Sequence, residues 1–159
     1  MFDLLQKKAR GWLGSLANTI PHTCAMCRAP CRSGICPRCR EQYFGKPASR
    51  CRVCANRLTS QTPVCGACLR HPPPFDHAIT ATDYVPPVDQ LVQSLKFSNR
   101  LGLAPSLAEL LLLSIREQHP PNIALPSVLT VIPLSPPRLR DRGFNQSLEI
   151  ARPLAQALQ

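Results

Sequence analysis

The sequence lacks any long apolar run. No stretch approaches the ~18 consecutive apolar residues that a membrane-spanning helix needs. Residues 1–21 carry Lys7, Lys8 and Arg10, but they contain no continuous apolar segment long enough for the core of a secretory signal peptide. We therefore expect a cytoplasmic protein without a transmembrane segment, in a compartment where thiols stay reduced.

Acidic residues are also scarce, and the scarcity is confined to one half of the chain. Residues 1–75 contain twelve Lys and Arg side chains but only Asp3 and Glu41, whereas residues 76–159 contain seven side chains of each sign. The excess favours contact with a polyanion such as nucleic acid, through phosphate contacts and counterion release. A solvated basic surface is the alternative. Aromatic side chains for base stacking are few between residues 21 and 75, namely Tyr43, Phe44 and Phe75.

Cysteine, in contrast, is abundant and regularly spaced. Eight of the nine cysteines form four Cys-x-x-Cys pairs, grouped two by two with eight and then ten intervening residues. Each pair places two thiolates on one side of a tight knuckle, so two knuckles can enclose a metal ion in a tetrahedron of sulfur atoms. The spacing predicts a double zinc ribbon holding two ions, with Cys24, Cys27, Cys36 and Cys39 as one ligand set and Cys51, Cys54, Cys65 and Cys68 as the other.

Other uses of the cysteines explain less of the pattern. A disulfide framework requires an oxidising compartment and leaves Cys31 over. A thioredoxin-like motif accounts for one pair, not four. Iron can bind to the same four cysteines. The pattern therefore predicts the position of the metal site but does not determine which metal binds there. Zinc also supplies folding energy, about 10–16 kcal/mol for a structural site, to a segment with few large apolar residues. Cys31 is expected to be a bystander.

Composition divides the chain into four stretches. Residues 1–20 have the spacing of an amphipathic helix with a basic face, which can cover a neighbouring core or make a peripheral membrane contact. Residues 21–70 form the predicted double zinc ribbon. Residues 71–76 are a Pro-rich linker, stiff because each proline fixes φ. Residues 77–159 have an α/β pattern.

The α/β pattern predicts strands at residues 77–84 and 128–132, the second being fully apolar as in a parallel sheet. Helices are predicted at residues 89–97 and 107–115 and from about Asn145 to the end. The predicted fold is therefore a small zinc-ribbon module followed by an incomplete α/β domain with a parallel sheet.

A proline- and arginine-rich loop is expected after the second strand, where ligands of parallel α/β domains gather. Its Arg138, Arg140 and Arg142 can present guanidinium groups to phosphate or pyrophosphate, and Asn145 can cap the following helix. A solvated basic loop is the alternative interpretation. No catalytic residue is predicted.

These motifs together resemble the ComF family of competence proteins, which combine a double zinc ribbon with a phosphoribosyltransferase-like domain. The resemblance is carried by the tandem ribbons, by DYVPPVDQLVQSLKF at residues 83–97 and by VIPLSPPRLRDRGFNQSLEIA at residues 131–151. It implies a cytoplasmic factor in DNA uptake during natural transformation, with single-stranded DNA or other competence proteins as partners. It also implies that the arginine loop approaches the pyrophosphate of phosphoribosyl pyrophosphate.

The chain departs from the phosphoribosyltransferase pattern in one respect. It contains no two adjacent acidic residues and no Thr-Thr-Gly, the elements that hold ribose and phosphate in such domains. We expect a C-terminally truncated domain that is inactive alone and binds phosphoribosyl pyrophosphate only in a longer chain. Three interpretations stay open: a competence accessory protein, the N-terminal fragment of an active phosphoribosyltransferase, and a stand-alone zinc-ribbon interaction module.

Overall fold

A computed structural model describes residues 22–45, 48–59, 62–120 and 124–159. The amphipathic helix predicted at residues 1–20 lies outside them. The described chain begins with two short antiparallel strands, and apart from one isolated bridge every later regular element in these ranges is helical. None of the described helices is both long and apolar enough to cross a membrane.

The cysteine-rich part consists of short elements joined by tight turns. Strand β1 (His22–Thr23) pairs with strand β2 (Pro30–Cys31). Helix α1 (Pro37–Phe44) follows directly, because Cys36 is extended and caps it while a proline occupies its first turn. Helix α2 (Gly66–Arg70) is a single short turn. Elements this short bury little apolar surface, so their stability depends on the side chains and ligands that connect them.

The second half of the chain is helical. The helices predicted at residues 89–97 and 107–115 and from about Asn145 are confirmed, with Asn145 accepting hydrogen bonds from the first turn of the last helix. The elements are α3 (Asp89–Phe97), a 3₁₀ turn (Leu101–Leu103), α4 (Ala104–Gln118), α5 (Pro136–Arg142) and α6 (Gln146–Leu158).

The parallel sheet predicted for the second half is absent from the described residues. Residues 77–84 and 128–132, the two predicted strands, form no ladder with each other or with another described segment. A strand persists only when a neighbour pairs with its backbone groups, and neither segment has such a neighbour here. Residues 77–84 instead contact the second ribbon, where the Ala78 N–H donates to the Val53 carbonyl at 2.8 Å.

One hydrophobic cluster joins the first ribbon to the helices. Its fully buried members include Cys24, Ile35, Leu91 and, nearly so, Leu110. Gly34 allows the first ribbon to lie close to the 3₁₀ turn, since a β-carbon at this position would meet the Leu103 side chain at 2.9 Å. The contacts therefore cross the boundary predicted between the ribbons and the α/β part.

A second cluster holds the last helix in place. Ala108 and Leu112 of α4 pack against Leu154 of α6, with further apolar side chains of both helices around them. At the ribbon end of α4, the Arg40 guanidinium pairs with the Glu109 carboxylate in a two-pronged contact of 2.6 and 2.8 Å. Helix α4 is thus the element that both the first ribbon and α6 contact.

Replacing Leu91 by Ala should lower the free energy of unfolding by about 2–5 kcal/mol, because the side chain is fully buried beside the first ribbon. Leu69→Ala is the control, since Leu69 is 69% exposed on α2 and its truncation should change stability by less than about 0.5 kcal/mol. Urea unfolding of the metal-loaded chain measures both. Equal effects would contradict a core built on the first ribbon.

Candidate metal centres

The structure brings together both predicted cysteine quartets. In each, the four sulfur atoms lie within 4.8 Å of one another, and all described cysteines are free thiols. The Sγ atoms of Cys27 and Cys36 are 3.6 Å apart, and those of Cys54 and Cys65 are 3.7 Å apart. Zn–S bonds of about 2.3 Å give a tetrahedron with edges of roughly 3.8 Å. Each quartet therefore has the dimensions of a site that can hold one metal ion.

The two quartets share one backbone design. The N–H of Cys24 donates to the carbonyl of Ala29 at 2.8 Å, and the N–H of Cys51 donates to the carbonyl of Asn56 at the same distance. The third cysteine of each set also donates its N–H to the first sulfur, at 3.4 Å in one site and 3.3 Å in the other. The ribbons are thus an internal repeat, which the unequal spacing between knuckles obscures in the sequence.

Each first knuckle closes through a residue with a left-handed backbone. Arg28 has φ 63° and Ala55 has φ 59°, and each occupies the fourth position after the first cysteine of its set. This conformation costs a residue with a β-carbon about 1–2 kcal/mol, so it persists where surrounding structure fixes it. The strand pairing repeats too: Thr23 lies opposite Pro30, and Arg50 lies opposite Arg57.

The backbone donors prepare the first thiol of each quartet for metal. Burial opposes ionisation of Cys24, but N–H groups of Cys27 and Cys36 outweigh it and hold the pKa of Cys24 at about 6. The N–H groups of Cys54 and Cys65 likewise lower the pKa of Cys51 to about 6. Each set therefore offers one thiolate near neutral pH before a metal arrives.

The last thiol of each quartet behaves in the opposite way. Burial, together with hydrogen bonds that the protonated thiols donate to neighbouring sulfurs, raises the pKa of both Cys39 and Cys68 to about 12. These sulfurs keep their protons until a cation displaces them, so metal binding is expected to release protons. The ninth cysteine, Cys31, donates its thiol proton to the Ser33 carbonyl and lies outside both quartets.

The second site is linked to the segment 77–84 by ion pairs. The Asp83 carboxylate binds the Arg50 guanidinium at 2.8 Å and also pairs with Arg57. Hydrogen bonding from Arg50, supported by Arg57, holds the pKa of Asp83 below its usual range. Arg50 also donates to the Ala55 carbonyl at 3.0 Å, so one arginine fixes the turn of the knuckle and its contact with residues 77–84.

The predicted arginine loop is a short helix, α5, and this changes which side chains share a face. Arg138 and Arg142 are four residues apart and line one groove, whereas Arg140 is not among the residues that line it. Asn145 does not line the groove either, because its side chain caps α6 and donates to the Ile132 carbonyl at 3.0 Å. Lys96 and Phe97 of α3 line it, although no local pattern in the sequence pairs them with α5.

This geometry defines a class of protein in which two four-cysteine sites of the zinc-ribbon type are joined to a helical part. The chain is 35% identical over 144 residues to DNA utilization protein YhgH of Escherichia coli and of Salmonella typhimurium, covering 88% of this chain and 63% of each relative. It is 29% identical over 147 residues to Competence protein F of Haemophilus influenzae, covering 90% of this chain and 63% of that protein. The resemblance to the ComF family is confirmed by these relatives.

The chain spans about 63% of the length of these curated relatives. No protein-family model matches it, and no solved structure matches it. The match to the relatives covers most of this chain and extends over both ribbons and helices α3 and α4.

Two metal ions per chain are expected to bind, one in each quartet. Cobalt substitution followed by thiolate-to-cobalt absorption measures the number, because each site has only sulfur ligands. Cys65→Ser should bind one ion, whereas the control variant Cys31→Ser should still bind two. If Cys65→Ser retains a second ion, or if Cys31→Ser binds only one, the ligand sets are assigned wrongly.

Proposed function

We propose that the chain is a zinc-binding accessory protein of DNA uptake, which acts in the cytoplasm and contacts DNA through its ribbons. The proposal is carried by the similarity to proteins named for DNA utilization and competence, which extends over both ribbons and the helices. Zinc is the proposed ion because its filled d-shell accepts whatever tetrahedron the chain supplies, and reduced thiols suit the cytoplasm.

The exposed arginines of the ribbons support the DNA contact. Arg40 pairs with Glu109, whereas Arg50 and Arg57 share the single carboxylate of Asp83, so two of these three positive charges are compensated. Five other arginines of this part are exposed and form no ion pair with a described residue: Arg28, Arg32, Arg38, Arg52 and Arg70. Such side chains can contact phosphates and release counterions.

For the second half, we propose a phosphoribosyltransferase-like domain of which this chain holds the first part. Val128 is 75% exposed and Ile132 is 80% exposed, although their segment has the apolar composition of a strand buried on both faces. Strand partners for this segment are proposed to lie outside the described residues. Phosphoribosyl pyrophosphate binding is proposed only for a longer protein, since this chain has neither the acidic pair nor the Thr-Thr-Gly loop.

The DNA contact can be tested by measuring oligonucleotide affinity as a function of salt. Changing Arg38, Arg52 and Arg70 together to Gln should weaken binding and reduce the slope of log affinity against log salt by about 2, because each arginine that pairs with a phosphate of a single strand contributes about 0.7. The matched control changes Arg100, Arg116 and Arg140 to Gln, three exposed arginines outside the ribbons.

The control variant should keep the salt slope of the unmodified chain. Removal of metal with a chelator should abolish the part of that slope that the ribbon arginines contribute. Equal slopes for both triple variants would overturn the proposal that the ribbons are the contact surface. Affinity that does not change between low and moderate salt would overturn phosphate contact altogether.

A further inference from the structure

A groove of about 410 Å³ lies between the C-terminal end of α3 and helix α5, away from both cysteine quartets. Its lining combines three cations with a single carboxylate, and it also contains two aromatic rings. The groove thus combines basic and aromatic side chains within one lining. The lining residues are Lys96, Phe97, Asn99, Arg138, Asp141, Arg142 and Phe144.

Two exposed aromatic rings, one lining the groove and one beside its Lys96, are paired with cations. Phe97 is 72% exposed, and the guanidinium carbon of Arg142 lies 5.2 Å from the centroid of its ring. The Lys96 ammonium lies 5.8 Å from the ring centroid of Tyr84, which is 60% exposed and does not itself line the groove. A single large apolar side chain on a surface means little, but two exposed rings beside two cations favour a ligand with flat faces and negative charge.

The cationic side chains of the groove differ in how firmly neighbouring groups hold them. Arg142 is fixed by Phe97 on one side and by a 3.1 Å hydrogen bond to the Gln146 side chain on the other. Arg138 forms no hydrogen bond or ion pair with a described residue and lies one turn away on the same helix. A fixed arginine can therefore orient the ring while Arg138 and Lys96 remain available for phosphate oxygens.

We propose that this groove binds single-stranded DNA, with a base stacked on Phe97 and the adjoining phosphates held by Arg138 and Lys96. A single strand carries flat bases beside phosphates, and the groove carries an exposed ring beside cations. A duplex does not fit this chemistry, because its bases are already stacked on one another and present only their edges. The inference rests on the proposed role in DNA handling and adds a contact separate from the ribbons.

The test compares variants of the metal-loaded 159-residue chain for binding a labelled thymidine oligonucleotide of about 20 nucleotides by fluorescence anisotropy. Phe97→Ala should weaken binding at least about fivefold, the lower limit for removal of one stacked base, and Phe97→Tyr should keep it. Arg138→Gln should reduce the salt slope by about 0.7. Unfolding midpoints should match, since Phe97 is exposed.

The chain offers a matched control for each change. Leu113→Ala removes an exposed apolar side chain of α4, which lies outside the groove, and Arg140→Gln removes an arginine of α5 that does not line it. Both controls should bind like the unmodified chain. If the groove variants also bind like it, the groove is not the site, although the proposed role in DNA handling stands.

Two further outcomes would overturn the inference. If the unmodified chain binds no oligonucleotide even at low salt, the groove proposal and the proposed DNA contact both fail. If thymidine monophosphate or inorganic pyrophosphate displaces the oligonucleotide at equal phosphate concentration, the groove is a small anion pocket rather than a binding surface for a strand. Displacement that requires a large excess of either compound is the expected result.

Discussion

The arrangement of the chain depends on one contact: the first cysteine quartet packs directly into the hydrophobic core. Cys24 is 1% exposed and belongs to the same cluster as Leu91 and Leu110 of the helices. Four thiolates held together beside apolar side chains are unfavourable unless a cation compensates their combined charge. An ion bound by this quartet would therefore stabilise the ribbon and also the surface on which α3 and α4 pack.

The two ribbons differ in the contacts that hold them to the rest of the chain. The first is attached by apolar contacts, and the second by a carboxylate between two arginines and a backbone hydrogen bond to Val53. Ion pairs near the surface contribute little and weaken with salt, whereas buried apolar contacts do not. The position of the second ribbon is therefore expected to depend more on ionic strength than that of the first.

Sequence reasoning succeeded where spacing alone determines the result. The two cysteine quartets, helices α3 and α4 and the cap at Asn145 were all predictable, because each depends on residues close together in the chain. It failed where the result depends on distant neighbours. Residues 77–84 and 128–132 form no strand pairing within the part of the chain that the structure describes, since a strand needs a partner that composition cannot reveal.

The arginines illustrate both outcomes. Their number was evident, but the loop expected at residues 138–142 is a helix, so alternate residues do not share a face. The partnership of Arg142 with Phe97 joins residues that are 45 positions apart and could not be predicted from local pattern. The cysteine pattern showed that the ribbons repeat, but it did not show that their backbone hydrogen bonds repeat as well, because the residue types between the cysteines differ.

Amide hydrogen exchange of two matched variants tests the central claim most directly. Cys36 and Cys65 occupy the same place in the two repeats, so Cys36→Ser and Cys65→Ser remove equivalent ligands. We predict that Cys36→Ser lowers protection throughout α3 and α4, while Cys65→Ser lowers it only in the second ribbon and residues 77–84. Equal protection of α3 and α4 in the two variants would contradict a fold built on the first metal centre.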